Sequence, residues 1–116
     1  MVIGYNNVNY AYDATTGNPT EGLAIMPLDI NENNQVDTSE DFYANKTQII
    51  NAIATGAYPS PPARELNLVT KDEFTGATKD FVMWILSETG GQQYALETGY
   101  VPLSEQRRAE MLSKLG

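Results

Sequence analysis

Apolar residues in the first half of the chain come in short runs separated by Asn, Gly, Pro and Asp. Val2 to Tyr5, Val8 to Tyr12, Leu23 to Met26 and, further on, Leu66 to Thr70 are rich in β-branched, aromatic and aliphatic residues, and each predicts a strand. Between the second and third lies DATTGNPTEG, whose Gly17, Pro19 and Gly22 predict a surface turn or hairpin loop. The second half changes period. NKTQIINAIATG places Ile49, Ile50 and Ile53 on one helical face and ends at Gly56, a candidate left-handed C-cap. In TGATKDFVMWILSE either Thr75 or Thr78 is available as N-cap, and Phe81, Trp84, Ile85 and Leu86 form a broad stripe expected to face a core. A short helix over QQYALETG stops at Gly99, and Ser104 opens a last one with Met111, Leu112 and Leu115 on a common face. Strands interleaved with helices of these lengths predict an α/β architecture, a thin sheet flanked by helices.

Pro59, Pro61 and Pro62 stiffen the connection between the first long helix and the fourth strand, giving it polyproline II character. An SH3-like groove could take such a segment, but a rigid crossover between two elements is the plainer reading. There is no repeat and no low-complexity tract.

The chain has 116 residues, the size of one domain able to bury a core without staples, so a single domain over residues 1–116 is expected. It has neither cysteine nor histidine, which excludes disulfides, thiolate sites and histidine-dependent triads. Net charge is -8 with basic residues scattered, so no footprint for a nucleic-acid backbone is visible. The opening MVIGYNNVNYAYD has no basic region and no long apolar run, so no targeting signal and no membrane span is expected in it. Asp80, Glu88 and Glu97 fall on helix faces where solvated charge explains them, no nucleophile–base pair can be named, and an enzyme is not expected.

One stretch carries candidate chemistry. DINENNQVDTSE places Asp29, Asn31 and Asn33 at the first, third and fifth positions of a twelve-residue EF-hand-type loop, with the Gln35 carbonyl, Asp37 and Glu40 at the seventh, ninth and twelfth. Alternate residues of a turning loop point inward, so these oxygens can meet one hard cation, calcium being the candidate. No cofactor is otherwise required. Two features oppose a paired EF-hand. The sixth position, where glycine normally makes the sharp turn, is Asn34, and LAIMPL before the loop reads as a strand ending in Pro27 rather than as an entering helix. With only Asp29, Asp37 and Glu40 charged among the ligand positions, affinity would fall in the range of roughly 10⁻⁴ to 10⁻³ M. The alternative is a polar turn in which the asparagines make Asx-turns.

IGY and YAY near the start, then GAYPSPPARELNLVTK, then GATKDFVMWILSETGGQQYALETGYVPLS follow one another in an order that resembles the C-terminal part of the phosphate-binding proteins of ABC-type phosphate transporters. The resemblance spans nearly the whole chain. Its most specific pieces are Tyr58 and Pro59 followed by Arg64, the FVMWILS helix followed by a glutamine-bearing helix, and GYVPLS. It implies a partial type II periplasmic-binding-protein-like fold and an extracytoplasmic or cell-surface receptor that closes on phosphate and delivers it to a permease. It also implies that most phosphate ligands belong to an N-terminal half, so no phosphate-binding position is assigned in this chain. Taken this way, the chain is the back portion of such a receptor and binds phosphate only with the missing half. Unpaired strand edges would then favour a homo-oligomer or a domain swap.

Overall fold

The computed structural model describes residues 2–116, and its chain divides into two compact units, Met1–Arg64 and Glu65–Gly116. Five helices form, α1 (Val8–Ala11), α2 (Lys46–Thr55), α3 (Gly76–Leu86), α4 (Gly91–Glu97) and α5 (Glu105–Lys114), and no strand forms among the described residues. The expected α/β sheet, and with it the partial periplasmic-binding-protein-like fold, is therefore corrected to a helical arrangement joined by long irregular segments. None of the helices is long and apolar enough to cross a membrane.

The physical reason for the missing sheet differs among the four expected strands. Val8 to Tyr12 satisfies two periods at once, because Val8, Ala11 and Tyr12 are spaced three and four apart as well as lying in an apolar run. Asn7 decides between them: its side chain accepts the Asn9 N–H at 2.9 Å, an N-cap that starts a single helical turn. Val8, Ala11 and Tyr12 then join one apolar cluster. Val2 to Tyr5, Leu23 to Met26 and Leu66 to Thr70 find no ladder partner among the described residues. The only β contact there is a single antiparallel bridge between Tyr12 and Pro19. It closes the DATTGNP turn as expected. Asp13 Oδ1 accepts from the N–H groups of Thr15 and Thr16, and the Asp13 N–H donates to Asn18 O at 2.8 Å.

In the first unit the core is built around tyrosines. Tyr12 is buried to 2 % exposure and donates its hydroxyl to Tyr43 O at 2.9 Å, and the Tyr43 hydroxyl accepts the Leu28 N–H at 3.1 Å. Ile49 from α2 completes the buried set, with Ile25, Phe42, Ile53 and Tyr58 packed around it. Helix α2 matches the sequence expectation at its C-terminal end, where Gly56 takes the left-handed C-cap with φ 80°, and it begins at Asn45, whose side chain accepts the Gln48 N–H. The proline segment is not polyproline II. Pro59 to Ala63 curl into a turn in which the Ala63 N–H donates to Pro59 O at 3.1 Å.

In the second unit α3 packs on α4 and α5. The face it buries carries Val82 and Leu86, whereas Phe81 and Trp84, expected in the core, are 59 % and 48 % exposed. Every position from Phe81 to Leu86 is apolar, so the sequence period cannot select a face. The glycine pair after α3 has a steric role. A Cβ at Gly90 would meet the Ser87 hydroxyl and one at Gly91 would meet the Ile85 backbone, so only glycine lets the chain turn back this closely. Gln92 fastens the return: its Nε2 donates to Ile85 O at 2.9 Å and its Oε1 accepts the Leu103 N–H at 2.8 Å. Ser104 caps α5 by accepting the Arg107 N–H, as its position predicts.

Candidate functional site

The loop from Asp29 to Glu40 turns on two residues in the left-handed region, Glu32 at φ 60° and Asn34 at φ 65°. Asn34 occupies the sixth position, where the EF-hand pattern asks for this turn, so asparagine adopts the conformation that glycine normally supplies. Asp29 holds the turn from below. Its Oδ1 accepts the Asn33 N–H at 3.1 Å and its Oδ2 the Asn34 N–H at 2.6 Å. Asn31 Oδ1 accepts the Asn33 N–H and Asn33 Oδ1 accepts the Gln35 N–H, two successive Asx-turns.

Glu40 closes the loop. It is 4 % exposed, and its Oε1 accepts the N–H groups of Ile30 and Asn31, both at 2.9 Å, while its Oε2 accepts the Asp37 N–H at 3.2 Å. A carboxylate taken from water is tolerable only when donors replace its hydration, and three backbone donors do so here. The amide nitrogens of Asn31 and Asn33 both donate to Asp37 Oδ2 at 2.8 Å, so the third and fifth positions converge on the ninth.

Five of the six residues predicted as metal ligands, Asp29, Asn31, Asn33, Asp37 and Glu40, thus enter one hydrogen-bonded network through their side chains. Gln35 enters it through its N–H rather than through its carbonyl. The two asparagine amides present nitrogen, not oxygen, toward Asp37. A cation at that point requires both amide planes to turn over, which gives up the Asx bonds to the Asn33 and Gln35 N–H groups.

A second concavity lies in the other unit. Glu88, Gln92, Leu103 and Arg108 line a groove of about 430 Å³ between α4 and the start of α5. Its one cation, Arg108, faces Glu88 at 3.6 Å, an arrangement that discourages an anion. At the far end of the segment that precedes α3, Arg107 donates from Nε and Nη2 to the two carboxylate oxygens of Glu65 at 2.9 and 2.7 Å. That fork holds the Glu65 carboxyl below the usual carboxylate range. Sequence reasoning did not find this pair, and the separation of the two residues along the chain left no local signal for it.

No protein-family model, curated protein or solved structure matches the chain.

Proposed function

We propose that the chain serves as the C-terminal portion of a solute receptor of the phosphate-transporter type, a scaffold for anion binding without catalysis. The observation that carries this reading is the segment from Arg64 to Phe74. No backbone–backbone hydrogen bond joins any of these residues among those described, and Leu66, Leu68 and Val69 are 78 %, 54 % and 88 % exposed. An apolar run such as Leu66 to Thr70, whose backbone groups have no partner, is the form a strand takes when its neighbours belong to other chain. The continuously apolar second half of α3, with Phe81, Met83 and Trp84 exposed, supports the same reading. So do the quoted FVMWILS, QQYALE and GYVPLS pieces, which occupy α3, α4 and the segment that Gln92 fastens at Leu103.

Titration calorimetry tests it. The expected results are that the chain by itself gives no heat with inorganic phosphate and that coding sequence upstream of Met1 specifies a receptor half with a Ser-Gly-Thr turn. Micromolar phosphate binding by this chain, or an unrelated upstream frame, contradicts the reading.

The second reading is a calcium-binding module. Asn34 at φ 65° favours it, since the sixth position already takes the left-handed turn an EF-hand-type loop uses. Heat with calcium at millimolar concentration, with loss of the Asn33 and Gln35 amide protection, supports that module. Unchanged amide signals of Asn31 and Asn33 at saturating calcium contradict it.

A further inference from the structure

The unpaired segment before α3 has a charge order of its own. From Arg64 to Asp72 the sequence is RELNLVTKD: a cation and an anion, five uncharged residues, then a cation and an anion. Reversed, the order of signs is the complement of itself. From Arg64 to Thr70 the backbone runs without helix, turn or bend, and it bends at Lys71 and Asp72. Every side chain from Arg64 to Glu73 is exposed, and Arg64, Lys71 and Asp72 make no salt bridge among the described residues.

We propose that this segment is a self-complementary strand through which two copies of the chain pair antiparallel, with Leu68 opposite Leu68 on the two-fold axis. In that register Arg64 stands opposite Asp72 and Glu65 opposite Lys71 at both ends, while Leu66 faces Thr70 and Asn67 faces Val69. Side chains directly opposite on antiparallel strands have Cβ atoms about 4.5–5.5 Å apart, so opposite charges attract and like charges repel across each pair. The neighbouring registers are penalised. A slip of one residue in one direction puts Arg64 opposite Lys71, and in the other it puts Glu65 opposite Asp72, which cancels the attraction it creates between Arg64 and Glu73. A slip of two residues either puts Glu65 opposite Glu73 or removes the charge pairs. A parallel in-register pair stacks every charge on its own kind. The charge pattern therefore specifies orientation and register together.

Glu65 keeps its fork to Arg107 in this arrangement, since each carboxylate oxygen has a second lone pair to share with Lys71 of the other copy. Pairing straightens the bend at Lys71 and Asp72 and covers Leu66, Leu68 and Val69, three of the most exposed aliphatic residues in the second unit. The inference concerns the chain by itself and does not rest on the receptor reading, although it uses the same segment.

Sedimentation of the full chain across a concentration series, together with single-cysteine cross-linking, tests it. The chain has no cysteine of its own, so each introduced thiol reports alone. The expected result is a concentration-dependent dimer in which Leu68→Cys cross-links to itself under a mild oxidant. Asn67→Cys alone links poorly, and mixed with Val69→Cys chains it links well. Arg64→Glu and Asp72→Lys each raise the dimer dissociation constant about tenfold, from two like-charge contacts per dimer, and the double variant restores it. Both positions are exposed, so circular dichroism confirms that the fold is unchanged. A monomer at every concentration overturns the proposal. So does Asn67→Cys linking to itself as readily as Leu68→Cys, or a double variant no better than the singles.

Discussion

Two irregular segments of similar length, Asp29 to Glu40 and Arg64 to Phe74, solve the same problem in opposite ways. Neither belongs to a helix, so neither has a built-in partner for its backbone. In the first, side chains replace the missing ladder: Asp29, Asn31, Asn33 and Glu40 between them accept the N–H groups of Ile30, Asn31, Asn33, Asn34, Gln35 and Asp37. In the second no side chain accepts a backbone N–H of the segment, and the one local bond is a long Asn67 amide contact to Glu65 O at 3.4 Å. A polar loop can be complete in itself, whereas an apolar strand is complete only when something lies beside it.

The largest break in this contrast comes from Glu40. Glu40→Ala removes the acceptor of three part-buried backbone donors and is expected to destabilise the first unit by about 3 kcal/mol, read as a shifted denaturation midpoint. Asn34→Val, which forces a β-branched residue to a φ of 65°, is expected to cost about 1–2 kcal/mol, while Asn34→Gly is neutral or slightly stabilising. Equal melting of the two Asn34 variants would show that the left-handed turn does not matter.

The tyrosine core gives the next effect through pH. Burial pushes the phenols of Tyr12, Tyr43 and Tyr58 up from their ordinary value. Between the ordinary phenol pKa of about 10 and the higher native value, the folded state holds more protons than the unfolded one. Stability from this source is fully present below about pH 10 and falls as pH rises through the native value. Tyr12→Phe should flatten that alkaline loss in part and cost about 1 kcal/mol for the bond to Tyr43 O. The smallest effects belong to the second segment in the single chain. Glu65→Gln weakens a half-exposed pair with Arg107 and is expected to cost under ~1 kcal/mol, and Leu68→Ser should leave the melting of a dilute sample unchanged while lowering self-association.

The same contrast explains what could be read from the sequence. Helix α2 was legible because its signals are local: isoleucines at helical spacing and a terminal glycine. The polar loop was legible in its ligand spacing and in the tolerance of Asn34 for positive φ, but not in the direction its asparagine amides face, which depends on competition between Asp37 and the backbone N–H groups. Strand propensity at Leu66 to Thr70 described a surface suited to a sheet and could not supply the neighbouring strand. Val8 to Tyr12 failed for another reason, since Asn7 capped a helical turn that the apolar pattern also permitted. The side chain that closes the return from α3 to Leu103, Gln92, carried no signal beyond being a glutamine on a short helix.

Residue-resolved amide hydrogen exchange at two protein concentrations probes both segments at once. In dilute solution the amides of Ile30, Asn31, Asn33, Asn34 and Asp37 should be protected and those from Glu65 to Thr70 should exchange as an open chain. At high concentration the second set should gain protection at alternate residues. Protection from Glu65 to Thr70 in the dilute monomer, or open exchange through the polar loop, would contradict the division between a self-satisfied loop and an apolar segment without a neighbour.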